Sequence, residues 1–579
     1  MFIKEGVGMS QKVVVIGGVA IGPKAASRLK RLQPDAEVTL VDQQRLISYG
    51  GCGIPYYVSG DINDYRELQS TAFHSVRDPK FFKEAKGITV MDETKALKID
   101  RKAKTVLVKH VITGEETTLP YDQLVIATGS SPRQLNLPGD KLEGVFTVAT
   151  LEDGINIKKM IEKGKVNNAV VIGAGFIGLE MVEAFSDMWG INTTCVEIFD
   201  QVLPGVLSKE LAHICQNHME EKGITVHLQE KVVEVKGNGK VEKIITDKRE
   251  IEADLLIVSA GVIPNTQIAK DAGLDVSPRG TILVNKRMQT SDPCIYAGGD
   301  CVQVENLVSE QPFFLPLGSI ANRQGRVIGS NLAGKRETFQ GVVGTFMVRT
   351  FDMAFGGTGL SIKAAKMAGF DAVRAQAIQT DRSHFFPGAG PLILELVVEK
   401  KTGRVLGMQG AAKAGDALKA RIDCVGAILP YKPTLHDLAN METAYAPPFS
   451  SAMDIVNSIA NIAENIIEGR NQVIEANEFK EIFDNRESNG VLFLDTRTEV
   501  EAKEACQKYG KCWLNIPYAS MRERVNEIPK DKKIILLCTS GNRSFECQLI
   551  MREAGIENAY NIQGGTGLLD LWGIKIGKD

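Results

Sequence analysis

The sequence predicts an α/β protein of several domains, and three features carry that prediction. The chain has 579 residues, so about three or four domains are expected rather than one core. Two glycine-rich turns, at residues 17–22 and 173–178, each stand between a β-branched run and a helical segment. From Val473 onward, short strands and helices alternate again after a long helical segment.

Composition and charge are those of an ordinary globular protein. The formal net charge is −3, which gives no reason to expect nucleic acid as a partner. The ten cysteines have neither disulfide-framework nor metal-site spacing, so we expect mostly free thiols and no metal. Residues 1–11 lack the apolar core of a signal peptide, and no apolar run is long enough to span a bilayer. We therefore expect a cytoplasmic protein without a membrane association.

The first glycine-rich turn, GGVAIG, opens a βαβ unit. Lys12–Gly17 predicts a strand, Pro23–Leu32 a helix and Val38–Val41 a second strand. Val19 stands where the G-x-G-x-x-G pattern has its second glycine, so a turn of some other α/β protein is an alternative. Asp42 ends the second strand, where a carboxylate can bind ribose hydroxyls. The candidate nucleotide-binding residues are Gly17, Gly18, Gly22 and Asp42.

The second turn matches the pattern completely. Gly173, Gly175 and Gly178 occupy the three glycine positions between a predicted strand, Asn168–Gly173, and a predicted helix. Glu197 ends the next strand, 24 residues after Gly173. A carboxylate there accepts from a ribose 2′-hydroxyl and repels a 2′-phosphate, which favours NADH, although NADPH is possible.

A single cysteine stands in the segment SYGGCGIPYY, residues 48–57. The positions five residues to either side of Cys52 are not cysteines, so it lacks the partner of a C-x-x-x-x-C pair. Pro55 suits the first turn of a helix, and a thiol at a helix N-terminus has a lowered pKa. We therefore predict a reactive thiolate that oxidises to a sulfenic acid, a persulfide or a mixed disulfide. Ser48 either orients this thiolate or a substrate thiol, or caps the helix.

These features, together with ATG at Ala127–Gly129 and YAGGD at Tyr296–Asp300, resemble the pyridine nucleotide–disulfide oxidoreductase family over residues 12–455. The resemblance implies FAD in the first unit and NAD(P)H in the second. It implies that Asp300 contacts the flavin ribityl chain. It adds three cofactor-binding candidates, Ala127, Thr128 and Gly129.

Within that family, SYGGCGIPYY and the later YAPPFSS, residues 445–451, are similar to the coenzyme A-disulfide reductase branch. This resemblance implies a homodimer in which Tyr445, with Tyr431, reaches the partner's active site; packing in a proline-rich turn is the alternative for Tyr445. It also implies a basic helix face and nearby residues that bind coenzyme A, with a solvated face as the alternative. These substrate-binding candidates are Lys24, Arg28, Arg31, Lys80 and Asn322.

A second candidate thiol stands near the C-terminus in LCTSGNRS. Cys538 follows a predicted strand, and the short loop ends at Arg543 as a helix begins. Backbone N–H groups in such a loop stabilise a thiolate or a persulfide. The signature C-x-x-G-x-R-S, with Asp495–Arg497 and Gly564–Gly565, resembles rhodanese-type sulfurtransferases. The segment CWLNIP, residues 512–517, departs from that family's usual turn, which puts thiosulfate activity in doubt.

The resulting fold prediction is α/β, with two Rossmann-like dinucleotide-binding domains, an α+β dimerisation domain and a C-terminal rhodanese-like α/β domain. The predicted domains are FAD-binding at 10–165 and 285–335, NAD(P)H-binding at 166–284, dimerisation at 336–456, a linker helix at 457–472, and rhodanese-like at 473–579.

Together, these features predict an FAD enzyme that uses NADH to reduce a coenzyme A persulfide, polysulfide or disulfide and releases hydrogen sulfide. Cys52 would attack the sulfur–sulfur bond, and Cys538 would relay sulfane sulfur. Three alternatives stay open. One is an NADH oxidase or peroxidase with a Cys52 sulfenic acid, another is a rhodanese sulfurtransferase reset by its flavin part, and the third is a flavin redox sensor that binds a partner.

Overall fold

A computed structural model describes residues 10–577, and it confirms the predicted α/β class. The chain divides into two compact units. Unit 1 comprises residues 10–198 and 229–342, and unit 2 comprises residues 199–228 and 343–577. Most of the start of the chain, considered above for a signal peptide, lies outside the described residues. Within those residues, no helix is both long and apolar enough to cross a membrane.

Unit 1 contains two parallel sheets, one for each glycine-rich turn. The β-branched runs that enter the turns form the central strands, because strands covered on both faces must be apolar along their length. In spatial order, the first sheet has strands Ile295–Ala297, Gln123–Ile126, Lys12–Ile16, Glu37–Val41 and Ile88–Met91. The strands of the second sheet in unit 1 are Asn192–Val196, Asn168–Ile172, Leu255–Val258 and Val145–Phe146.

Antiparallel hairpins and helices complete unit 1. Two of the smaller sheets are three-stranded antiparallel meanders. The meander strands are Thr94–Asp100, Thr105–His110 and Glu116–Pro120, then Val232–Lys236, Lys243–Thr246 and Glu250–Glu252. Two short pairs join Ser130–Pro132 to Val262–Pro264 and Val304–Glu305 to Pro312–Phe313. The helices are Ile21–Leu32, Ile54–Ser59, Tyr65–Gln69, Pro79–Lys86, Leu151–Glu162, Phe176–Glu183, Gln267–Asp271 and Gly318–Leu332.

Unit 2 contains an antiparallel and a parallel sheet. In spatial order the antiparallel strands are Phe346–Thr350, Met353–Gly359, Val405–Ala412, Pro391–Glu399 and Ala372–Thr380. The parallel strands are Val473–Ile474, Ala559–Ile562, Ile534–Leu537, Leu492–Asp495 and Trp513–Asn515. A further short strand is Thr225–His227. The helices are Lys209–Glu221, Ile362–Met367, Gly415–Ile428, Leu435–Ala439, Ile455–Ile467, Ala476–Asp484, Glu499–Tyr509, Met521–Arg524, Asn542–Glu553 and Gly565–Leu571.

The linker helix predicted at residues 457–472 runs from Ile455 to Ile467 and packs against the antiparallel sheet. Its apolar face is buried, including Val456, Ile459 and Ala463. An apolar stripe at helical spacing stabilises such packing. In the structure this helix therefore belongs to the core beside the sheet and is not a free spacer.

Polar contacts join the antiparallel sheet to the C-terminal domain within unit 2. The backbone N–H of Gln376 donates to the Gln563 side chain over 2.7 Å. The Trp572 indole N–H donates to the carbonyl of Glu210 over 3.1 Å. Arg374, on strand Ala372–Thr380, contacts Glu210, Glu395 and Glu475. These buried contacts hold the two domains of unit 2 in one arrangement.

Candidate active site

The first glycine-rich turn is tightly packed, which explains two of its glycines. Gly17 has a φ of +114°, and a Cβ there would lie 2.1 Å from the carbonyl oxygen of Ala127. A Cβ at Gly22 would lie 1.8 Å from the carbonyl oxygen of Gly17. Glycine is therefore needed for the turn itself. The same contact brings the predicted segment Ala127–Gly129 against the turn.

Each glycine-rich turn is tied to the carboxylate that ends the next strand. Asp42 Oδ2 accepts from the backbone N–H of Gly18 over 2.6 Å. Glu197 Oε2 accepts from the backbone N–H of Ala174 over 2.8 Å. Burial raises the pKa of Asp42, against the opposing effect of backbone hydrogen bonds from Gln44 and Gly18. The two βαβ units thus repeat one arrangement and bring both predicted carboxylates to their turns.

The helices that follow the turns begin with uncapped N-termini. Among the described residues, no side chain caps Ile21–Leu32 or Phe176–Glu183, and neither first turn contains an acidic residue. Helix Leu151–Glu162, by contrast, has a full capping box from Thr150. The first N–H groups of a helix need acceptors, and a pyrophosphate supplies them. These two helix starts fit that group.

Gly175 differs from the other glycines of the second turn. Its φ of −79° suits any residue, and a Cβ there would meet nothing within 4 Å. Packing therefore does not require glycine at this position. The missing side chain leaves room for a close approach to the backbone, as dinucleotide pyrophosphates need. The residues of both units thus fit a bound dinucleotide.

Thr128 and Asp300 follow the C-terminal ends of two neighbouring parallel strands of the first sheet, Gln123–Ile126 and Ile295–Ala297. Ser130 donates to Asp300 Oδ2 over 3.0 Å. Burial raises the pKa of Asp300, and the Ser130 hydrogen bond opposes that rise. Thr128 donates to the carbonyl of Asn265, whose side chain donates back to the Thr128 carbonyl over 2.9 Å. Sequence reasoning missed Ser130 and Asn265, because nothing in the local pattern pairs them with these residues.

Cys52 lies in a 3₁₀ turn, Gly51–Gly53, immediately before helix Ile54–Ser59. Cys52 is an exposed residue. A Cβ placed on Gly318 would lie 3.7 Å from Cys52 Sγ, so the thiol lies beside the start of helix Gly318–Leu332. Gly51 has open space where its side chain would be. The surroundings therefore leave the thiol accessible to a planar group and a substrate.

The predicted lowering of the Cys52 pKa is wrong for this structure. Removal of water by the surrounding protein raises the pKa of Cys52, and the carboxylates of Glu180 and Asp300 raise it further. Hydrogen bonds from the backbone of Cys52 and Gly318 oppose the rise only in part. Desolvation is the largest of these effects, and the two negative neighbours add to it.

Glu180, on helix Phe176–Glu183, is a site residue that sequence reasoning missed. Burial, and then the nearby Glu183, raise the pKa of Glu180 to about 7. The charge of Glu180 acts on Cys52, and helix Phe176–Glu183 packs against helix Ile54–Ser59, which follows Cys52. A glutamate inside an apolar helix carries no motif, so only the fold could have revealed it.

Ser48 is buried, with a φ of +52°. Its backbone N–H donates to the carbonyl of Gly18 over 2.7 Å. The N-cap of helix Ile54–Ser59 is Gly53, so the alternative in which Ser48 caps that helix is wrong. Ser48 instead connects the cysteine segment to the first nucleotide turn.

The predicted basic residues differ in their exposure and contacts. Three of them are exposed: Lys24, Arg31 and Lys80. Arg28 donates to Ser330 over 3.0 Å and pairs with Glu337 over 3.7 Å, which favours the structural interpretation of its charge.

Asn322 is exposed, and its amide donates to the carbonyl of Gly318 over 2.9 Å. Gly318 is the residue beside the Cys52 thiol. The structure therefore brings Asn322 to the start of the helix that flanks Cys52.

Cys538 lies at the end of strand Ile534–Leu537 and is fully buried. Its Sγ accepts from the backbone N–H of Gly541 and from the Ser544 hydroxyl, each over 3.1 Å. Of the predicted backbone N–H donors, that of Gly541 contacts the sulfur, and the Ser544 hydroxyl is an additional donor. Ser544 also contacts Asn561 Oδ1 over 2.7 Å, a contact from a distant strand that the sequence did not indicate. The same loop lines a small cavity of about 30 Å³ with Gln376, whose Oε1 has no hydrogen-bond partner among the described residues.

Arg543 points from this loop toward helix Glu499–Tyr509. It donates to Thr539 over 2.8 Å and approaches Glu501 at 3.4 Å. The guanidinium is therefore held beside a carboxylate at the mouth of the loop.

Large apolar groups are exposed on unit 2. Tyr431 is 83% and Tyr445 51% exposed, with Phe449 at 73% and Met453 at 55%. Apolar exposure on this scale marks interaction surfaces. Within the described part of unit 2, Tyr445 is thus not packed as the proline-rich-turn alternative requires.

Comparisons with known proteins agree with this architecture. Residues 11–315 match the pyridine nucleotide-disulphide oxidoreductase family, residues 346–456 its dimerisation domain and residues 475–567 the rhodanese-like domain. The NAD(P)H coenzyme A polysulfide/persulfide reductase of Pyrococcus horikoshii is 35% identical over 457 residues, covering 79% of this chain and 99% of that one. An NADH oxidase of Methanocaldococcus jannaschii is 34% identical, covering 76% and 95%.

A solved NAD-dependent persulfide reductase from A. fulgidus superposes with a TM-score of 0.90 and 40% identity, over 96% of this chain and 100% of that one. The predicted combination of two dinucleotide-binding domains, a dimerisation domain and a rhodanese-like domain is confirmed. The chain belongs to the pyridine nucleotide-disulphide oxidoreductase family, whose members use FAD and NAD(P)H, and carries a C-terminal rhodanese-like domain.

Proposed function

We propose that this protein is an NADH-dependent reductase of coenzyme A persulfide, polysulfide or disulfide, and that it acts through Cys52. One observation carries the proposal. Cys52 is exposed, its segment is joined through Ser48 to the first nucleotide turn, and its pKa is affected by Glu180 on the helix that opens at the second turn. A single thiol between two nucleotide-binding units suits two-electron reduction of a sulfur–sulfur bond.

The two nucleotides are assigned by the residues that fit them. FAD occupies the unit of Gly17 and Asp42, within residues 10–165 and 285–335, and NADH occupies that of Gly173 and Glu197, within residues 166–284. The carboxylate of Glu197 favours NADH over NADPH. Bound FAD would accept a hydride from NADH and supply two electrons to oxidised Cys52.

In the reaction the Cys52 thiolate attacks the sulfur–sulfur bond of the persulfide. A mixed disulfide with coenzyme A forms, and hydrosulfide leaves with the bonding electron pair. Two electrons and a proton then release coenzyme A thiol and restore the thiolate. Attack on the terminal sulfur instead would leave a Cys52 persulfide, which the same two electrons convert to hydrosulfide. Cys538 holds or relays the sulfane sulfur, with Gly541 and Ser544 donating to its sulfur and Arg543 at the loop mouth.

Coenzyme A is bound by the exposed residues of the basic helix and its neighbours. Lys24 and Arg31 supply the charge for its phosphates, with Lys80 as a further cation. Asn322 lies beside Gly318 and thus near the thiol that receives the other end of the molecule. Arg28 contributes less, because Glu337 and Ser330 already engage its guanidinium.

The active form is a homodimer built through the dimerisation domain, residues 336–456, in a reducing compartment such as the cytoplasm. The exposure of Tyr431 and Tyr445 supports their role as residues offered to the partner's active site. Ten free thiols support the compartment.

Anaerobic NADH oxidation with coenzyme A persulfide, polysulfide and coenzyme A disulfide tests this function. Wild type is compared with Cys52→Ala and Cys538→Ala, and Cys195→Ala, a fully buried thiol, serves as a matched control. Rapid turnover that Cys52→Ala alone abolishes supports the reductase. The Cys538→Ala rate on each acceptor then shows whether the C-terminal thiol relays sulfur. Full activity in Cys52→Ala would refute the proposal.

A second candidate is an NADH oxidase or peroxidase that uses a Cys52 sulfenic acid. It is favoured by the exposure of Cys52 without a local cysteine partner and by the relative named as an NADH oxidase. It predicts no turnover with the sulfur acceptors under anaerobic conditions and brisk NADH consumption once oxygen or peroxide is admitted. Cys538→Ala would have no effect on that activity.

A further inference from the structure

The loop of Cys538 carries one charged side chain. In the segment CTSGNRS, residues 538–544, this is Arg543. Its guanidinium donates to Thr539 and faces Glu501, with one nitrogen 3.4 Å and another 3.5 Å from the two carboxylate oxygens. Two nitrogens directed at two oxygens form a paired arrangement, so the cation is compensated within the domain.

Glu501 is held in this position by a second set of bonds. Its Oε2 accepts from the backbone N–H and the hydroxyl of Thr498, over 2.9 and 2.8 Å, in a capping box at the start of helix Glu499–Tyr509. Although burial opposes it, the Thr498 N–H and the Arg543 guanidinium lower the pKa of Glu501 to about 2. The carboxylate is therefore ionised throughout the physiological pH range.

A second cation at the same end of the sheet is also paired. Arg497 donates to Asp495 over 2.9 and 2.7 Å, and Asp495 is fully buried. Strand Leu492–Asp495 pairs with Ile534–Leu537, with Asp495 opposite Leu537, the residue before Cys538. Both cations described at this edge, Arg497 and Arg543, thus have a carboxylate partner.

We propose that Glu501 sets the donor class of the Cys538 site, which takes sulfane donors with one negative charge at the reacting end and discriminates against dianions. A persulfide carries a single charge there, whereas thiosulfate carries two. The phosphates of coenzyme A lie at the far end of its pantetheine arm, where salt screens them over about 8 Å. The inference rests on the proposed function only in taking a persulfide as the natural donor.

The transfer itself is balanced without another reactant. The Cys538 thiolate attacks the sulfane sulfur, and the sulfur–sulfur bond of the donor breaks. The thiolate of the donor, or sulfite when thiosulfate is the donor, leaves with the electron pair, and Cys538 becomes a persulfide. Cyanide then removes the outer sulfur as thiocyanate and restores the thiolate, which gives a colorimetric readout.

The test is Glu501→Gln in the full-length holoenzyme. Glutamine also completes a capping box, so the helix start is preserved while the charge is removed. Glu499→Gln is the matched control, since it removes the same charge from the same helix and Glu499 is not among the residues that contact Arg543. The two donors are thiosulfate and N-acetylcysteamine persulfide, which has an uncharged arm.

Coulomb energies scale with the charge of the donor, so removing Glu501 changes the energy for a dianion twice as much as for a monoanion. The factor by which kcat/KM changes for the dianion is therefore the square of the factor for the monoanion. We expect kcat/KM for thiosulfate to rise about tenfold in Glu501→Gln and that for the persulfide about threefold. Both variant-to-wild-type ratios of kcat/KM should shrink toward one as the salt concentration is raised to about 1 M. Equal changes for the two donors, or the same changes in Glu499→Gln, would overturn the proposal.

A second measurement decides the matter if thiosulfate turnover is too slow to follow. In a Cys52→Ala background, the Cys538 peptide is quantified by mass after reaction with iodoacetate or uncharged iodoacetamide. Glu501→Gln should raise the iodoacetate-to-iodoacetamide rate ratio about threefold; an unchanged ratio would refute the proposal. Neither measurement uses NADH, so failure of the reductase function and failure of this inference are distinguishable.

Discussion

Replacing Arg374 by methionine should destabilise unit 2 strongly. The Arg374 side chain is 3% exposed and lies between Glu210, 8% exposed, and Glu395, 2% exposed. It also reaches Glu475 of the C-terminal domain over 2.6 Å. Methionine keeps much of the length of the side chain but leaves two buried carboxylates without their cation.

The size of the stability loss in Arg374→Met follows from the burial of these two carboxylates. Removing one partner of a buried ion pair costs about 3–5 kcal/mol, because the remaining charge stays desolvated. The exposed Glu475 adds little. At about 2–4 °C per kcal/mol for a domain of this size, the Tm of unit 2 should fall by about 6–20 °C.

The loss of stability in Arg374→Met should also depend on pH, and the direction of this dependence can be worked out. Burial raises the pKa of Glu395, and the Arg374 guanidinium lowers that of Glu210 against the effect of burial. Without the arginine both carboxylates have folded-state pKa values above their unfolded values. Their destabilising effect is then complete at high pH and fades as pH falls and they protonate. The Tm difference between variant and wild type should therefore be larger at pH 8 than at pH 5.

The assay is thermal unfolding of the holoenzyme followed by intrinsic fluorescence. Two of the three tryptophans, Trp513 and Trp572, lie in unit 2. Arg522→Met is the matched control, because its pair with Glu553 is 72% and 66% exposed and its loss should move the Tm by about 1 °C or less. A fall below about 3 °C, or one equal at pH 5 and pH 8, would refute the argument.

Three further predictions concern the sites. Gly175→Ala should fold normally, since its Cβ meets nothing within 4 Å, and should raise the KM for NADH about tenfold by occupying the space for the pyrophosphate. Glu180→Gln should make Cys52 alkylate severalfold faster at pH 8, because it removes a carboxylate that raises the pKa of Cys52. The difference should vanish at pH 6, where Glu180, with a pKa of about 7, is protonated in the wild type. Ser544→Ala should slow thiocyanate formation about tenfold and cost about 1–2 kcal/mol of stability, since the hydroxyl that bridges Cys538 Sγ and Asn561 Oδ1 is lost and one buried acceptor is left without its donor; normal rates would contradict this.

Local sequence signals were sufficient for the elements and for the residues that belong to motifs. The apolar run at Lys12–Ile16, its glycines and Asp42 lie within one βαβ unit, so spacing alone brings them together. The loop of Cys538 could be predicted for the same reason, since its donor Gly541 is three residues away.

Residues contributed by distant segments could not be predicted in this way. Glu180 reaches the surroundings of Cys52 from another domain, and its charge adds to the desolvation that raises the pKa of Cys52. Glu501 looks like an ordinary capping residue until the fold brings Arg543 to it across 42 positions. Long-range contacts of this kind depend on strand order, which a single sequence does not specify.

The docking of the C-terminal domain on the antiparallel sheet constrains how sulfur travels. With Gln563, Trp572 and Glu475 bonded to that sheet and its neighbouring helix, the loop of Cys538 cannot swing like an arm on a tether. Whatever delivers or collects sulfur at this loop must therefore be the mobile part. A thiol at the end of a long, flexible small molecule meets that requirement. The arm of the substrate then moves the sulfur, while the C-terminal domain stays fixed on the sheet.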